Sequence, residues 1–347
     1  MNKIITTPHL KSNDSIHSQS STKTSNRADS SRKHRVDYVD LLKGITILWI
    51  IWIHTDHPEF GGYRNPIFFF ASGIFFKILD AKTFFSKRVW MIIIPFIFFY
   101  LLSVLCRYLL DIWDTRTLDS FDWHRILDFT VITARQDYLS LNVPLWFLLT
   151  LFWIQTFSFI VFRFSKYIIG ILAFLSIVFF EEIYSIPTPL MINNAVAWFG
   201  YFAFGYLMGK PLIKYLNSTS RKVKIFILTA VTVILCIGIE SLEVELLERV
   251  ITPFKYIVFI ICFMTFFSFF DGKKYMDILR FYGKNSLIIL GAHLWILIPV
   301  GRISFRLTGV HDPWIGLVSA IITAICLIPV IQFLSKYCAV FVGKRNS

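Results

Sequence analysis

The chain is divided into apolar stretches of membrane length. Ten can be counted, at approximately residues 41–57, 65–79, 89–110, 144–162, 166–183, 191–208, 223–240, 252–270, 281–300 and 314–342. A hydrocarbon core about 30 Å thick takes about 20 apolar helical residues to cross, because every backbone polar group inside it must be paired within the segment. These stretches are apolar all round, not striped as a helix on a soluble core would be. Composition agrees, with 56% of the 347 residues hydrophobic and 18% aromatic. The expected fold is all-α: a polytopic membrane protein with about ten transmembrane helices in one bundle. Two segments are irregular. Segment 65–79 is short and opens with Asn65-Pro66, which suits a half-helix or one shielded by its neighbours. Segment 314–342 is long enough to tilt, or to break near Pro329.

A net charge of +13 would suit nucleic acid in a soluble protein. Here the basic residues sit in short loops between apolar segments, so no nucleic-acid partner is expected. With the N-terminus in the cytoplasm, inside loops carry Lys82, Lys87 and Arg88, then Arg163 and Lys166, then Lys210, Lys214, Arg221 and Lys222, and later Lys273, Lys274 and Arg280. Outside loops carry Glu181, Glu182, Glu243 and Glu245. This split obeys the positive-inside rule with both termini cytoplasmic. Residues 1–34 are rich in Ser, Thr, Lys and Asn and read as a disordered cytoplasmic tail, leaving 35–347 as the membrane domain. The five cysteines show no metal-ligand spacing, and no metal is expected.

The most chemical stretch is Arg35 to Glu59. Lys43 opens an apolar run that ends in His54-Thr55-Asp56-His57. On a continuous helix Lys43 and His54 lie roughly 16 Å apart along the axis. An ionisable group inside a span usually faces the bundle interior, and imidazole is the usual general base for a hydroxyl. His54 therefore reads either as a catalytic base or as an interfacial histidine without a chemical role. Asp56 or Glu59 could hold its other ring nitrogen. Lys43 reads as a ligand-binding cation or as a snorkelling lysine paired with Asp40.

A second site of this kind lies late in the chain. Gly283-Lys284-Asn285-Ser286 opens the ninth segment, and His293 follows nine residues after Lys284. Two histidines at similar depth suggest one shared cavity. The alternative is a helix cap at Asn285 or Ser286 and a hydrogen-bonded core histidine. Ser72 and Gly73 allow close helix packing, and Ser72 can line a cavity near His54. The 111–143 loop holds Trp113, Trp123, His124 and Tyr138, which suit interface anchors or sugar-stacking residues.

The run Asp40-Leu41-Leu42-Lys43-Gly44-Ile45, with His54 after ten intervening residues, resembles the opening motif of the membrane-bound acyltransferase family 3. Phe68 to Gly73 is similar to its second-helix phenylalanine-rich Ser-Gly motif. Pro144-Leu145-Trp146-Phe147-Leu148 resembles its proline-tryptophan-phenylalanine segment. Gly283 to Leu287 with His293 resembles its late Gly-x-Asn-Ser-Leu…His motif. Lys43 stands where that family more often has Arg, so it would meet phosphate as a point charge without a bidentate fork.

The resemblance implies an O-acyltransferase of the bacterial cytoplasmic membrane. It would move an acetyl or short acyl group from cytoplasmic acyl-CoA to a hydroxyl of a cell-surface polysaccharide or its lipid-linked precursor. His54 would be general base or acyl relay, with His293 and Ser72 positioning the acyl carbonyl. Coenzyme A would bind at Lys43 and Lys284, among the motif residues Asp40, Asn285 and Ser286. A transporter or flippase of a lipid-linked glycan is the rival expectation, since it too would use many helices and buried histidines.

Overall fold

The computed structural model describes residues 37–55, 61–117, 121–130, 139, 141–240, 245–310 and 312–344. The 1–34 tail, Asp56, His57, Glu59, Tyr138 and Glu243 lie outside the described residues. Every described segment of regular structure is helical. The α-helices of eight residues or more are α1 Asp37–Ile53, α2 Arg64–Ile74, α3 Ala81–Thr115, α4 Trp146–Val161, α5 Lys166–Val178, α6 Ile192–Ser218, α7 Arg221–Glu240, α8 Glu245–Ser268, α9 Asp277–Lys284, α10 Ser286–Thr308 and α11 Pro313–Tyr337. Each of the ten apolar stretches is occupied by a helix. Among the described residues four are long and apolar enough to cross a membrane: Ala81–Thr115, Val143–Val161, Ser286–Thr308 and Pro313–Tyr337. Lipid-facing surface shows on α3, where Leu101, Leu105 and Leu109, one turn apart, are 58%, 52% and 56% exposed.

One local departure follows from proline. Pro95 has no N–H to give back along α3, and the helix opens into a π turn at Val89–Ile93 just before it. Pro329, by contrast, lies inside α11, which runs unbroken to Tyr337. α2 has 11 residues, roughly 16 Å of helix, too little to cross a bilayer. It is buried along nearly all of its length and packs on α6.

That packing explains the Ser-Gly motif. A Cβ on Gly73 would collide with the Phe202 carbonyl of α6, and one on Gly205 would collide with the Phe70 carbonyl of α2. The two backbones meet at reciprocal glycines, as small residues permit between apolar helices. α1 and α9 meet in the same manner. A Cβ on Gly44 would strike the Leu279 carbonyl, and one on Gly283 would strike that of Asp40. The glycines of the Asp40–Gly44 and Gly283–Ser286 motifs thus belong to one helix–helix contact.

The segment expected to run unbroken over 281–300 is in fact two helices, divided at Asn285. Its Nδ2 donates to the Phe281 carbonyl at 2.8 Å, closing the end of α9. Its Oδ1 accepts from Lys344 Nζ at 2.7 Å, and that ammonium also donates to Ser335 Oγ at 2.6 Å. At the other end of α3, Tyr108, Phe121 and Trp123 stack together, and Tyr100 Oη donates to the Arg125 carbonyl at 2.9 Å. The described part of the 111–143 connection is thereby tied to α3.

Candidate active site

Lys43, Ile47, Ile50 and His54 recur every three or four residues, so they share one face of α1 and of the turn that continues it. That face lines a cavity of about 450 Å³. Arg64, Asn65, Phe68 and Ser72 of α2 form a second wall. Arg88 of α3, Gln155 of α4 and Ser286 at the start of α10 complete its polar lining, with Pro144, Trp146 and Phe147 among its apolar groups. Three of the four sequence motifs thus have side chains on this cavity through Lys43 and His54, Phe68 and Ser72, and Trp146 and Phe147, and the fourth reaches it through Ser286.

His54 Nδ1 lies 2.6 Å from the Ile50 carbonyl one turn back. A carbonyl oxygen only accepts, so Nδ1 carries the hydrogen. In the neutral ring Nε2 then holds the free lone pair, the form a base or nucleophile needs. His293 repeats the arrangement, with Nδ1 donating to the Ile289 carbonyl at 2.8 Å. The two rings meet edge to face at a centroid distance of 5.1 Å. His293 has no exposed surface and its Nε2 has no hydrogen-bond partner among the described residues. It stands behind His54 and does not line the cavity.

α10 is held in place by a polar cluster next to His293. Asn142 Nδ2 donates to the Gly291 carbonyl and to Ser103 Oγ, both at 2.9 Å. Trp295 Nε1 donates to the same Ser103 Oγ at 3.1 Å. Gly291 lies flat against the Phe99 ring, where no Cβ fits. Asn142 therefore links α3, α10 and the turn that leads into α4.

Arg88 is the strongest addition the structure makes. Its guanidinium lies over the Phe84 and Phe76 rings at 5.1 and 5.5 Å, and its Nε is buried without a partner among the described residues. Aromatic faces hold a guanidinium without consuming its donors, which leaves them for an anion in the cavity. Read along the sequence, Arg88 is one more cytoplasmic loop charge, and nothing in its neighbours separates it from Lys87. Gln155 does carry a signal in the sequence, as a lone amide inside an apolar segment. Arg64 had no sequence signal beyond its place before Asn65-Pro66.

A second cavity, of about 620 Å³, lies beyond His54. His54 and Thr55 stand at one side, and Leu297, Gly301, Arg302 and Ser304 of α10 face Asp312, Gly316 and Ser319 at the start of α11. Ser304 and Ser319 share a hydrogen bond of 2.9 Å. Arg302 is paired with Asp114 of α3 through both guanidinium nitrogens, at 3.0–3.2 Å. His54 lines both cavities.

The remaining expected site residues fall elsewhere. Lys284 is exposed and does not line either cavity. Asp40 is buried against α9, and Asn285 is engaged by Lys344 and Phe281. Lys43, His54, Ser72 and Ser286 share the first cavity.

A family model described as an acyltransferase domain, that of acyltransferase family 3, matches residues 36–333, well over half of the chain. The chain matches none of the curated proteins and none of the solved structures. The match spans α1 to α11 and takes in every residue that lines the two cavities, and so the chain belongs to acyltransferase family 3 and is a membrane acyltransferase.

Proposed function

We propose that the protein transfers an acetyl or short acyl group from cytoplasmic acyl-CoA to a hydroxyl of a surface glycan or its lipid-linked precursor. In this reading all ten apolar stretches belong to the membrane part, the termini are cytoplasmic, and the membrane is a bacterial cytoplasmic one. The observation that carries it is the position of His54, which lines one cavity with Lys43 and Arg88 and a second cavity without them.

The first cavity suits the donor. Lys43 and Arg88 would meet coenzyme A phosphates, Lys43 as a point charge and Arg88 as a planar fork. Roughly 16 Å of helix separates Lys43 from His54, a length for the extended arm of the thioester. Ser72 and Gln155 offer hydrogen bonds along it. The acceptor hydroxyl would come from the second cavity. His54 Nε2 takes its proton, and the oxygen attacks the thioester carbonyl. The C–S bond then breaks, and the thiolate recovers the proton from the imidazolium. An acyl relay through the same lone pair would use the same geometry. His293 would act through His54, as a positioning residue that fixes the ring from behind.

Purified protein in liposomes, given labelled acetyl-CoA and an acceptor oligosaccharide, tests this. Label on the sugar is the expected result. Movement of the sugar across the bilayer without label would overturn the reading in favour of a transporter.

A further inference from the structure

Past Tyr337, where α11 ends, the backbone turns back on itself. The Val342 and Lys344 N–H groups donate to the Cys338 and Ala339 carbonyls at 3.1 and 2.8 Å. Gly343 takes a φ of +72°, a left-handed value that suits glycine. The close fit favours it too, since a Cβ there would stand 3.3 Å from the Met91 carbonyl oxygen and 3.4 Å from the Pro95 ring. Val342 is buried, and the Phe341 ring stacks on Phe98 at a centroid distance of 5.5 Å. The turn 338–344 is thereby seated on α3, at the π turn Val89–Ile93 and the residues just after it.

Lys344 carries the turn across to a second element. Its ammonium donates to Asn285 Oδ1 at 2.7 Å and to Ser335 Oγ at 2.6 Å. Both acceptors are neutral, and no carboxylate pairs with this lysine among the described residues. An ammonium has three donors, and two of them here fix the place of a motif asparagine and of the helix end beside it. Asn285 separates α9 from α10, and Gly283 just before it lies against Gly44, the neighbour of Lys43.

Both places that the turn touches border the donor cavity. Met91 and Ile92 line it from the π turn, shortly after Arg88, and Ser286 lines it directly after Asn285. The turn itself supplies no lining residue. It also lies beyond residue 333, where the family match ends. The turn therefore spans two walls of the cavity from outside it.

We propose that the turn 338–344 braces the donor cavity, with Lys344 as a positioning residue that acts through Asn285 to hold Ser286 in register with Lys43 and Arg88. The inference rests on the reading of this cavity as the coenzyme A site, and it adds a residue that touches no substrate. Without the brace the start of α10 shifts against the π turn, and the polar groups that meet the donor lose their common geometry.

The test measures binding of coenzyme A to the full chain in lipid nanodiscs by calorimetry, beside the melting temperature of the unliganded protein. Lys344→Met is expected to weaken binding by about tenfold with the melting temperature unchanged. Asn285→Ala is expected to weaken it as well, and adding Lys344→Met to that variant costs nothing more, because the two residues act as one unit. A further full loss in the double variant means that Lys344 acts by its charge alone, and overturns the inference. So does a lower melting temperature in Lys344→Met with wild-type affinity, which would make the brace a matter of stability only. Should Lys344→Met or Asn285→Ala fail to fold, Ser335→Ala decides, since it removes one of the two oxygens that hold the ammonium. Weaker binding in that variant supports the brace, and wild-type affinity overturns it. No binding of coenzyme A by the wild type overturns the donor reading itself, and the inference falls with it.

Discussion

The first and ninth apolar stretches carry a similar pattern in sequence, a lysine before an apolar run and a histidine within or at the end of it. The structure uses them differently. Lys43 lines the cavity with His54, whereas Lys284 is exposed at the end of a separate short helix. His54 lines two cavities, whereas His293 is sealed behind it, ring edge against ring face. The chain breaks at Asn285, which ends α9 after Lys284 and precedes the start of α10. A similar order of residues in sequence therefore yields one helix that presents its polar groups to the cavity and one that supports it.

The largest expected effect lies at His54. His54→Ala is expected to lower acyl transfer by about 10²- to 10⁴-fold, the range for a general base, in protein that still inserts and binds acyl-CoA. Full glycan acylation in cells carrying it would remove His54 from the chemistry and break the contrast between the helices. His293→Ala comes next, at about 10- to 100-fold, because the His54 ring loses its backing and drifts from its geometry. The loss is expected in kcat with the KM for acyl-CoA unchanged; a KM effect alone would make His293 a binding residue.

Lys43→Ala is expected to raise the KM for acyl-CoA by about tenfold, the value of one charge-assisted hydrogen bond, with Lys43→Arg keeping most activity. Donor kinetics checked against both variants decide this, and an unchanged KM in Lys43→Ala would move the donor site elsewhere. The smallest effect belongs to Lys284→Ala, expected within about twofold on every parameter, as for an exposed residue away from special contacts. A loss as large as that of Lys43→Ala would restore the symmetry of the two helices.

Much of the fold was legible because hydrophobic length is a local property. Each of the ten apolar stretches holds a helix, and the short 65–79 stretch is the shielded one. The number that are long and apolar enough to cross on their own, four among the described residues, is smaller than the number of stretches. α2 illustrates the reason: burial against α6 supports a helix that its own length would not carry across a bilayer. At the site, His54, Lys43 and Ser72 could be named in advance because polar groups inside apolar runs are conspicuous. Arg88 could not, since the same residue type serves topology in loops and anion binding in cavities.

The sequence by itself determined an all-helical chain, its apolar segments and the motif residues Lys43, Ser72, Ser286 and His54. It did so because helix periodicity and hydrophobic length act over a few turns. Only the tertiary structure decided that Gly44 meets Leu279 and Gly283 meets Asp40, that Arg88 turns inward over two phenylalanine rings, and that His293 supports His54 from behind. Those outcomes depend on which backbones approach one another, and residues far apart in the chain set that together.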